Sequence, residues 1–272
     1  MVDVYKILQC PLCQRSISES LECAICGEQY VFKNDVHVMV NRKLSKREWK
    51  WDEKRFTDET QKVSRERYDS YLNEDTRKAT DAWSEAMGKH IVAFRGLVCD
   101  VSTGLGSLFD RLMISTADFL PVATDVDPNV LAWTSKQIKG KYNKEFISVA
   151  TDAKHFAFAD STFDIVTSLA ALGNIPDTKK ALKEQYRVLK RNGRFVMMNS
   201  FVKKWSRSHW LAKLLRLDRG CIEQYLLEEM RSVGFKDVRS DTVSSAVWAK
   251  NPMDGLPVAG DMNYFAIVEA RK

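Results

Sequence analysis

No stretch of the 272 residues approaches the roughly 18 consecutive apolar residues that a bilayer-crossing helix requires, which argues against a membrane-spanning segment. The opening residues, MVDVYKILQCPLC, lack a basic region followed by an apolar run, so no secretory leader is expected and the cytosol is the expected compartment. A large excess of one charge is missing too. The net charge of +6 is mildly basic for this length and permits an acidic or nucleic-acid partner without requiring one. Cysteines number only six, yet four crowd into residues 10–26, and because cytosolic thiols stay reduced, that crowding points to metal and away from a disulfide framework. The chain is long enough for one large α/β domain with a sizeable core plus a small appendage.

The clustered cysteines form two knuckles, Cys10-Pro-Leu-Cys13 and Cys23-Ala-Ile-Cys26, nine residues apart. Zinc takes four thiolates tetrahedrally without redox chemistry, and a closed four-cysteine set leaves no position for a catalytic water. A structural zinc at Cys10, Cys13, Cys23 and Cys26 is therefore expected, with a redox dithiol or chance spacing as the alternatives. Residues 4–41 resemble the small zinc-ribbon proteins that activate eukaryotic tRNA and protein methyltransferases. The match lies in Cys26-Gly27, the strand Tyr30-Val-Phe32 and the apolar hairpin end from Val36 to Val40; where that family has Asp-Gly-Ile-Pro, this chain reads Asp35-Val-His-Val38. His37 is expected to be a surface or turn residue, since four thiolates already fill the zinc shell.

Residues 42–94 contain no proline and one glycine, Gly88. Trp49, Phe56, Tyr68, Tyr71, Leu72, Trp83, Met87 and Ile91 recur at three- and four-residue steps, as amphipathic helices packed on a core require. The alternative is that part of this connector lids the active site, its aromatics excluding water. The basic run from Arg42 to Arg47 reads as a solvated face.

Beyond the connector, apolar runs alternate with helical stretches, the pattern of a parallel sheet with crossover helices. Residues 98–107, VCDVSTGLGS, read as a strand running into a glycine turn. The G-x-G-x-x-G of a dinucleotide site is missing, and Ser102 stands where the first glycine is usual. Ser102 suits the turn if its φ stays negative. Asp125 follows the glycines by about 20 residues, the spacing at which a carboxylate at the end of a second strand reaches ribose hydroxyls.

The order Asp100-x-Ser102-x-Gly104-x-Gly106 resembles the first motif of class I S-adenosylmethionine-dependent methyltransferases, and the resemblance continues for about 100 residues. Thr124-Asp-Val-Asp-Pro resembles the second motif, Thr151-Asp152-Ala153 the adenine-edge motif, and residues 161–168 the fourth strand. Residues 181–196 follow the helix, Asn-Gly turn and fifth strand of the group that includes the ubiquinone and menaquinone biosynthesis methyltransferases. The resemblance implies a Rossmann-like sheet, mostly parallel with an antiparallel last strand over residues 264–270. It also implies S-adenosylmethionine held by Asp100, Ser102, Gly104, Gly106, Asp125, Val126, Asp152, Ala153 and Leu169. Asp164 reads as structural. The expected organisation is a ribbon at residues 1–41, a helical connector at 42–94 and a methyltransferase domain at 95–272.

Methyl transfer from a sulfonium needs alignment, exclusion of water and sometimes removal of a proton, so catalytic residues leave little trace in sequence. They should lie at the carboxyl ends of the strands: residues 169–176, 199–220 and 250–262. Asn174 is a candidate for orienting the acceptor and His209 for general base. Lys203, Lys204, Trp205, Arg207, His209 and Trp210 suit an acidic or planar substrate, or form a surface amphipathic helix. Ser168-Leu-Ala-Ala171 stands where enzymes that methylate base amino groups carry Asn/Asp-Pro-Pro-aromatic, so a small-molecule acceptor is the leading expectation. An rRNA or tRNA methyltransferase with RNA as partner is the alternative, and a non-catalytic protein that binds a partner through the cofactor fold or the ribbon is the third. No membrane partner is expected.

Overall fold

A computed structural model describes residues 3–45, 54 and 56–272. Trp49 and the end of the basic run at Arg47 lie outside the described residues.

After a short turn of helix, α1 (Val4–Ile7), the two cysteine knuckles lead into the hairpin β1 (Val31–Lys33) and β2 (Val36–Val38). Asn34 and Asp35 close it at φ 51° and 61°, the paired left-handed conformation that a two-residue hairpin turn favours. His37 lies within β2, part-buried, its ring against Phe32 at 4.6 Å and its Nδ1 near the Ser148 carbonyl, so it is a strand residue and no turn residue.

The connector forms α2 (Asp58–Tyr71) and α3 (Glu74–Ile91). Asn73 caps α3 by accepting from the Thr76 amide at 2.7 Å, Glu74 and Asp75 sit at its positive end, and Lys89 and His90 at its negative end. Its buried residues Thr76, Ala79, Trp83, Met87 and Ile91 make one stripe, and the Trp83 indole donates to the Ala266 carbonyl at 2.8 Å. The amphipathic expectation applies less well to α2, which buries no residue and lies on the outside, its Asp58 accepting from Trp133.

The remaining elements alternate: β3 (Gly96–Val101), α4 (Ser107–Ile114), β4 (Phe119–Asp125), α5 (Pro128–Lys141), β5 (Ile147–Ala150), β6 (Phe163–Leu169), α6 (Thr178–Val188) and β7 (Leu189–Val202). Then come α7 (Arg207–Leu214), α8 (Asp218–Cys221), α9 (Glu223–Val233), β8 (Lys236–Val247) and β9 (Met262–Arg271). The expected Asn-Gly turn falls inside β7: Asn192 takes φ 64°, and Asn192 and Gly193 pair with the chain's last residue, Lys272. Asp164 is structural as expected, its Oδ2 accepting from the Leu97 amide and Lys190 Nζ, both at 2.8 Å.

All nine strands join one sheet in the order β1-β2-β5-β4-β3-β6-β7-β9-β8. From β2 to β7 the neighbours are parallel, and β9 runs antiparallel between β7 and β8. The ribbon hairpin thus extends the sheet through β2, where His37 registers with Val149 and Val38 with Ala150. A second seam joins Gln9 and Ile7 to the Ala157–Ala159 backbone, and Leu8, Cys10 and Tyr30 share an apolar core with Phe156 and Phe158. Strand order reverses between β3 and β6, and the crevice beyond their carboxyl ends is where such a sheet takes its ligand.

Candidate functional site

Asp100, next to the last residue of β3, is 1% exposed, and among the described residues neither carboxylate oxygen has a hydrogen-bond partner. Burial pushes its carboxyl up to about 8, with the Asp125 charge adding to the rise. The parallel register sets Thr167 beside it, and the Thr167 hydroxyl also lacks a partner. Polar groups buried without a protein partner call for a water or a ligand to complete their hydrogen bonds.

The turn that follows is stitched to β4. Thr103 donates its amide to the Thr124 carbonyl at 2.7 Å, Thr124 donates its hydroxyl to the Asp100 carbonyl at 2.8 Å, and Thr134 donates to the Gly104 carbonyl at 2.7 Å. Ser102 takes φ 56°, so the condition under which serine suits the turn is not met: the turn imposes a left-handed residue there, and serine bears the strain that glycine would avoid. Gly106, at φ 88°, starts α4 so close to α5 that a Cβ would lie 2.9 Å from the Thr134 methyl. Asp125 ends β4 and accepts from the amides of Gly104 and Asp127, both at 3.0 Å; burial raises its carboxyl against the pull of those amides.

A cleft of about 610 Å³ opens over these strand ends, and Ser102, Asp125, Val126, Asp152, Ala153, Leu169 and Asn174 all line it. Asp100, Gly104 and Gly106 are not among the residues that line it. Ser45, near the start of the connector, also reaches the wall. Six of the nine residues that the resemblance gathered from 70 positions of sequence thus line one cleft.

A second cavity of about 430 Å³ adjoins the first, sharing Leu169, Ala170 and Asn174. Trp83, Trp248 and Phe265 give it aromatic walls, and residues 253–257 close one side. Its polar groups include Tyr68 from α2 and Asp254; burial raises the Asp254 carboxyl while the Tyr68 hydroxyl pulls it down. The Trp248 indole nitrogen and Asn263 Oδ1 are buried without a partner among the described residues. Tyr68 belongs to the connector aromatics that the lid alternative placed at the site and Asp254 to the expected 250–262 segment, whereas no local motif marks Trp248 or Asn263. Gly220 holds the floor, where its backbone presses so tightly on Leu172 and Gly173 that no side chain fits.

Asn174 borders both cavities and donates to the Ala170 carbonyl at 3.1 Å. His209 is not brought to either cavity. It is 3% exposed in α7, stacks on Trp210, and its Nδ1 accepts the Trp205 amide at 2.9 Å, so the nitrogen a general base would use is already engaged with backbone. Cys221 lies in the second cavity's wall, its thiol 3.5 Å from the Gly173 carbonyl and pushed up to about 12 by burial, a state without thiolate character.

The four ribbon thiols converge within 4.8 Å of one another, with Cys10 and Cys26 at 3.5 Å and Cys13 and Cys23 at 3.4 Å. A tetrahedral zinc at about 2.3 Å from each sulfur would set them about 3.8 Å apart, so a cluster of this size suits that ion. The Tyr30 hydroxyl lies 3.2 Å from Cys10 Sγ and within reach of Asn41 Nδ2, fixing the first knuckle from behind.

Residues 99–197 match the model of a methyltransferase domain. The chain carries a methyltransferase domain. Its sequence is 34% identical over 116 residues to demethylmenaquinone methyltransferase from Thermobifida fusca, covering 42% of this chain and 48% of that one. It is 28% identical over 171 residues to the ubiquinone/menaquinone biosynthesis C-methyltransferase UbiE of Bartonella quintana, covering 56% and 64%. The chain therefore spans between about half and two thirds of these relatives. Among solved structures, phosphoethanolamine N-methyltransferase 2 of Haemonchus contortus with S-adenosyl-L-methionine superposes with TM-score 0.57 at 17% identity over 80% of this chain and 58% of that one. The cyclase SpnF gives TM-score 0.57 at 19% identity over 74% and 85%. The methyltransferase sheet, mostly parallel with antiparallel strands at its edges, is thus the class I fold that the sequence pattern implies.

Proposed function

We propose that the protein transfers a methyl group from S-adenosylmethionine to a small-molecule acceptor by in-line displacement. One observation carries the reading: two cavities meet at Leu169, Ala170 and Asn174, one over the Asp100, Asp125 and Asp152 strand ends, the other walled by aromatics. Bound in the first, S-adenosylmethionine supplies an electrophilic methyl group. Asp100 and the turn at 102–106 hold its amino-acid end, Asp125 its ribose, and Asp152 with Ala153 the adenine edge. Trp83, Trp248 and Phe265 exclude water from the acceptor, whose polar atoms meet Trp248 Nε1 and Asn263 Oδ1, with Asn174 orienting it at the junction. Asp254, with Tyr68 facing it, replaces His209 as the group placed to accept a proton.

The acceptor cavity is small and apolar-walled, which suits a metabolite better than a base presented by RNA. The curated relatives are named for demethylmenaquinone and for ubiquinone and menaquinone biosynthesis, which points the same way. Zinc at Cys10, Cys13, Cys23 and Cys26 is the structural metal of this reading. Because SpnF is titled a cyclase, the fold alone does not choose the reaction. The deciding experiment incubates the protein with methyl-labelled S-adenosylmethionine and host-cell extract, then counts label in small molecules, RNA and protein. Label in small molecules, lost with Asp125→Asn, supports the proposal; nuclease-sensitive label, or none beside intact cofactor binding, overturns it.

A further inference from the structure

The most exposed apolar surface of the domain lies along residues 203–219. Trp205 is 67% exposed, Trp210 51% and Leu214 78%, and Leu215 joins them. Such a run of two tryptophans and two leucines open to water is unfavourable in a free-standing soluble surface and marks a contact. α7 buries Ser208, His209 and Ala212 on its other side, so this outward face is fixed by the packing of the inner one.

The presentation of Trp205 is enforced. Its φ of 70° is an outlier for a bulky side chain, and it is held by the hydrogen bond from its amide to the buried His209. Residue 205 is thereby turned outward beside Trp210, ring centroids 5.7 Å apart. Strain kept in place to expose an indole calls for a partner for that indole.

Charge names the partner's chemistry. Lys204 reaches over the Trp205 and Tyr225 rings at 5.4 and 5.3 Å, and Lys213 over Trp210 at 5.5 Å. Among the described residues neither lysine has a carboxylate partner. Indoles, aliphatic side chains and lysine ammonium groups mixed on one face are the elements that lie in the headgroup region of a bilayer. Leu214 and Leu215 decide between lipid and RNA, because bases stack on aromatic rings but leave aliphatic side chains in water.

We propose that residues 203–219 dock the protein peripherally on an anionic phospholipid surface, with Trp205, Trp210, Leu214 and Leu215 entering the interface and Lys204 and Lys213 facing the headgroup phosphates. This departs from the expectation of no membrane partner, which rested on the lack of a spanning run; a docked helix needs none. The surface also opens onto the second cavity. Leu215 is exposed on the docking face and at the same time lines that cavity, so a lipophilic acceptor leaving the bilayer would enter beside it.

The test is co-sedimentation with vesicles of phosphatidylcholine alone and of phosphatidylcholine containing about one third phosphatidylglycerol, read alongside tryptophan emission. The protein partitions onto the anionic vesicles with a blue shift, more weakly at high salt, and little onto the neutral ones. Lys204→Ala with Lys213→Ala lowers the partition coefficient about 30-fold, from about fivefold per lysine. Trp210→Ser with Leu214→Ser lowers it about tenfold or more. Trp210, Lys213 and Leu214 are exposed and Lys204 is half-buried, and an unchanged thermal midpoint confirms that the variants fold. No partition onto anionic vesicles, partition that these substitutions leave unchanged, or binding of a single-stranded RNA oligonucleotide in place of vesicles overturns the proposal. Vesicle binding requires no methyl acceptor, so its outcome is independent of the labelling experiment.

Discussion

Asp100 offers the sharpest test of how the cofactor cleft works. Its carboxyl lies at about 8 in the folded protein against an ordinary 3.8, because burial penalises the charged form. The folded value is the higher one, so between those two pH values the native state binds a proton that the unfolded chain has lost. Stability must then fall as pH rises through that window and level off above it. Integrating at 1.36 kcal/mol per pKa unit, the contribution of Asp100 drops by about 4 kcal/mol between pH 5 and pH 8. The assay is chemical denaturation of the cofactor-free protein at both pH values, for the native sequence and for Asp100→Asn. Subtracting one pH dependence from the other cancels every other titrating group. The native protein should lose about 4 kcal/mol more than the variant, and the variant should be the more stable of the two at pH 8. A cationic ligand group placed against Asp100 reverses the preference. S-adenosylmethionine binding at pH 6 should release close to one proton, measurable by calorimetry in buffers of different ionisation enthalpy. Parallel pH dependences for the two proteins would refute the assignment of a buried, unpaired carboxyl at this position.

Three further outcomes are expected. Asp125→Asn keeps the fold but weakens S-adenosylmethionine about 10- to 100-fold by calorimetry, the loss of a charge-assisted hydrogen bond. Metal analysis finds one zinc per chain, and a strong chelator or Cys23→Ser lowers the unfolding midpoint by about 10 °C or more in a thermal scan, as the loss of several kcal/mol does in a chain of this size. Trp83→Phe removes the donor to the Ala266 carbonyl and leaves that oxygen buried, costing about 1–3 kcal/mol in denaturant titration.

The strands and the acidic residues at their carboxyl ends were legible because each rests on a short-range pattern. An apolar run ending in Asp100, another ending in Asp125 and the triplet Thr151-Asp152-Ala153 declare themselves within a few residues, and strand order then brings them to one edge. What escaped is made by distant contacts. Tyr68 and Asp254 meet across the second cavity although no local spacing links them. Trp248 and Asn263 acquire meaning only because their neighbours leave them without partners. The sign of the Ser102 φ was not legible for a related reason: the hydrogen bonds from Thr103 and Thr134 that hold the turn come from contacts with β4 and α5, which outweigh serine's own preference. His209 looked catalytic as a residue type beside lysines and tryptophans, and burial against Trp205, Trp210 and Tyr225 gives it a structural position instead.

The ribbon's place in the sheet gives the metal site a route to the cofactor cleft. β2 pairs with β5, the short strand that delivers Thr151 and Asp152, and the Met39 amide donates to the Ala150 carbonyl at 2.8 Å just before them. On the far side of the same turn, the Gln9 amide donates to the Ala157 carbonyl at 2.9 Å and Leu8 bridges Phe158. The segment 151–153, proposed for the adenine edge, is thus held between the two ends of the ribbon, one residue from Cys10 and one from Val38. β5 has four residues and, without β2, would be an exposed edge of the sheet. Loosening the knuckles should therefore be felt first at Asp152, and only weakly at Asp100 and Asp125, which sit on the central strands β3 and β4. That ordering distinguishes a ribbon that braces the cleft from one that is merely attached: chelation should weaken adenosine-containing ligands while leaving the pH-linked protonation of Asp100 in place.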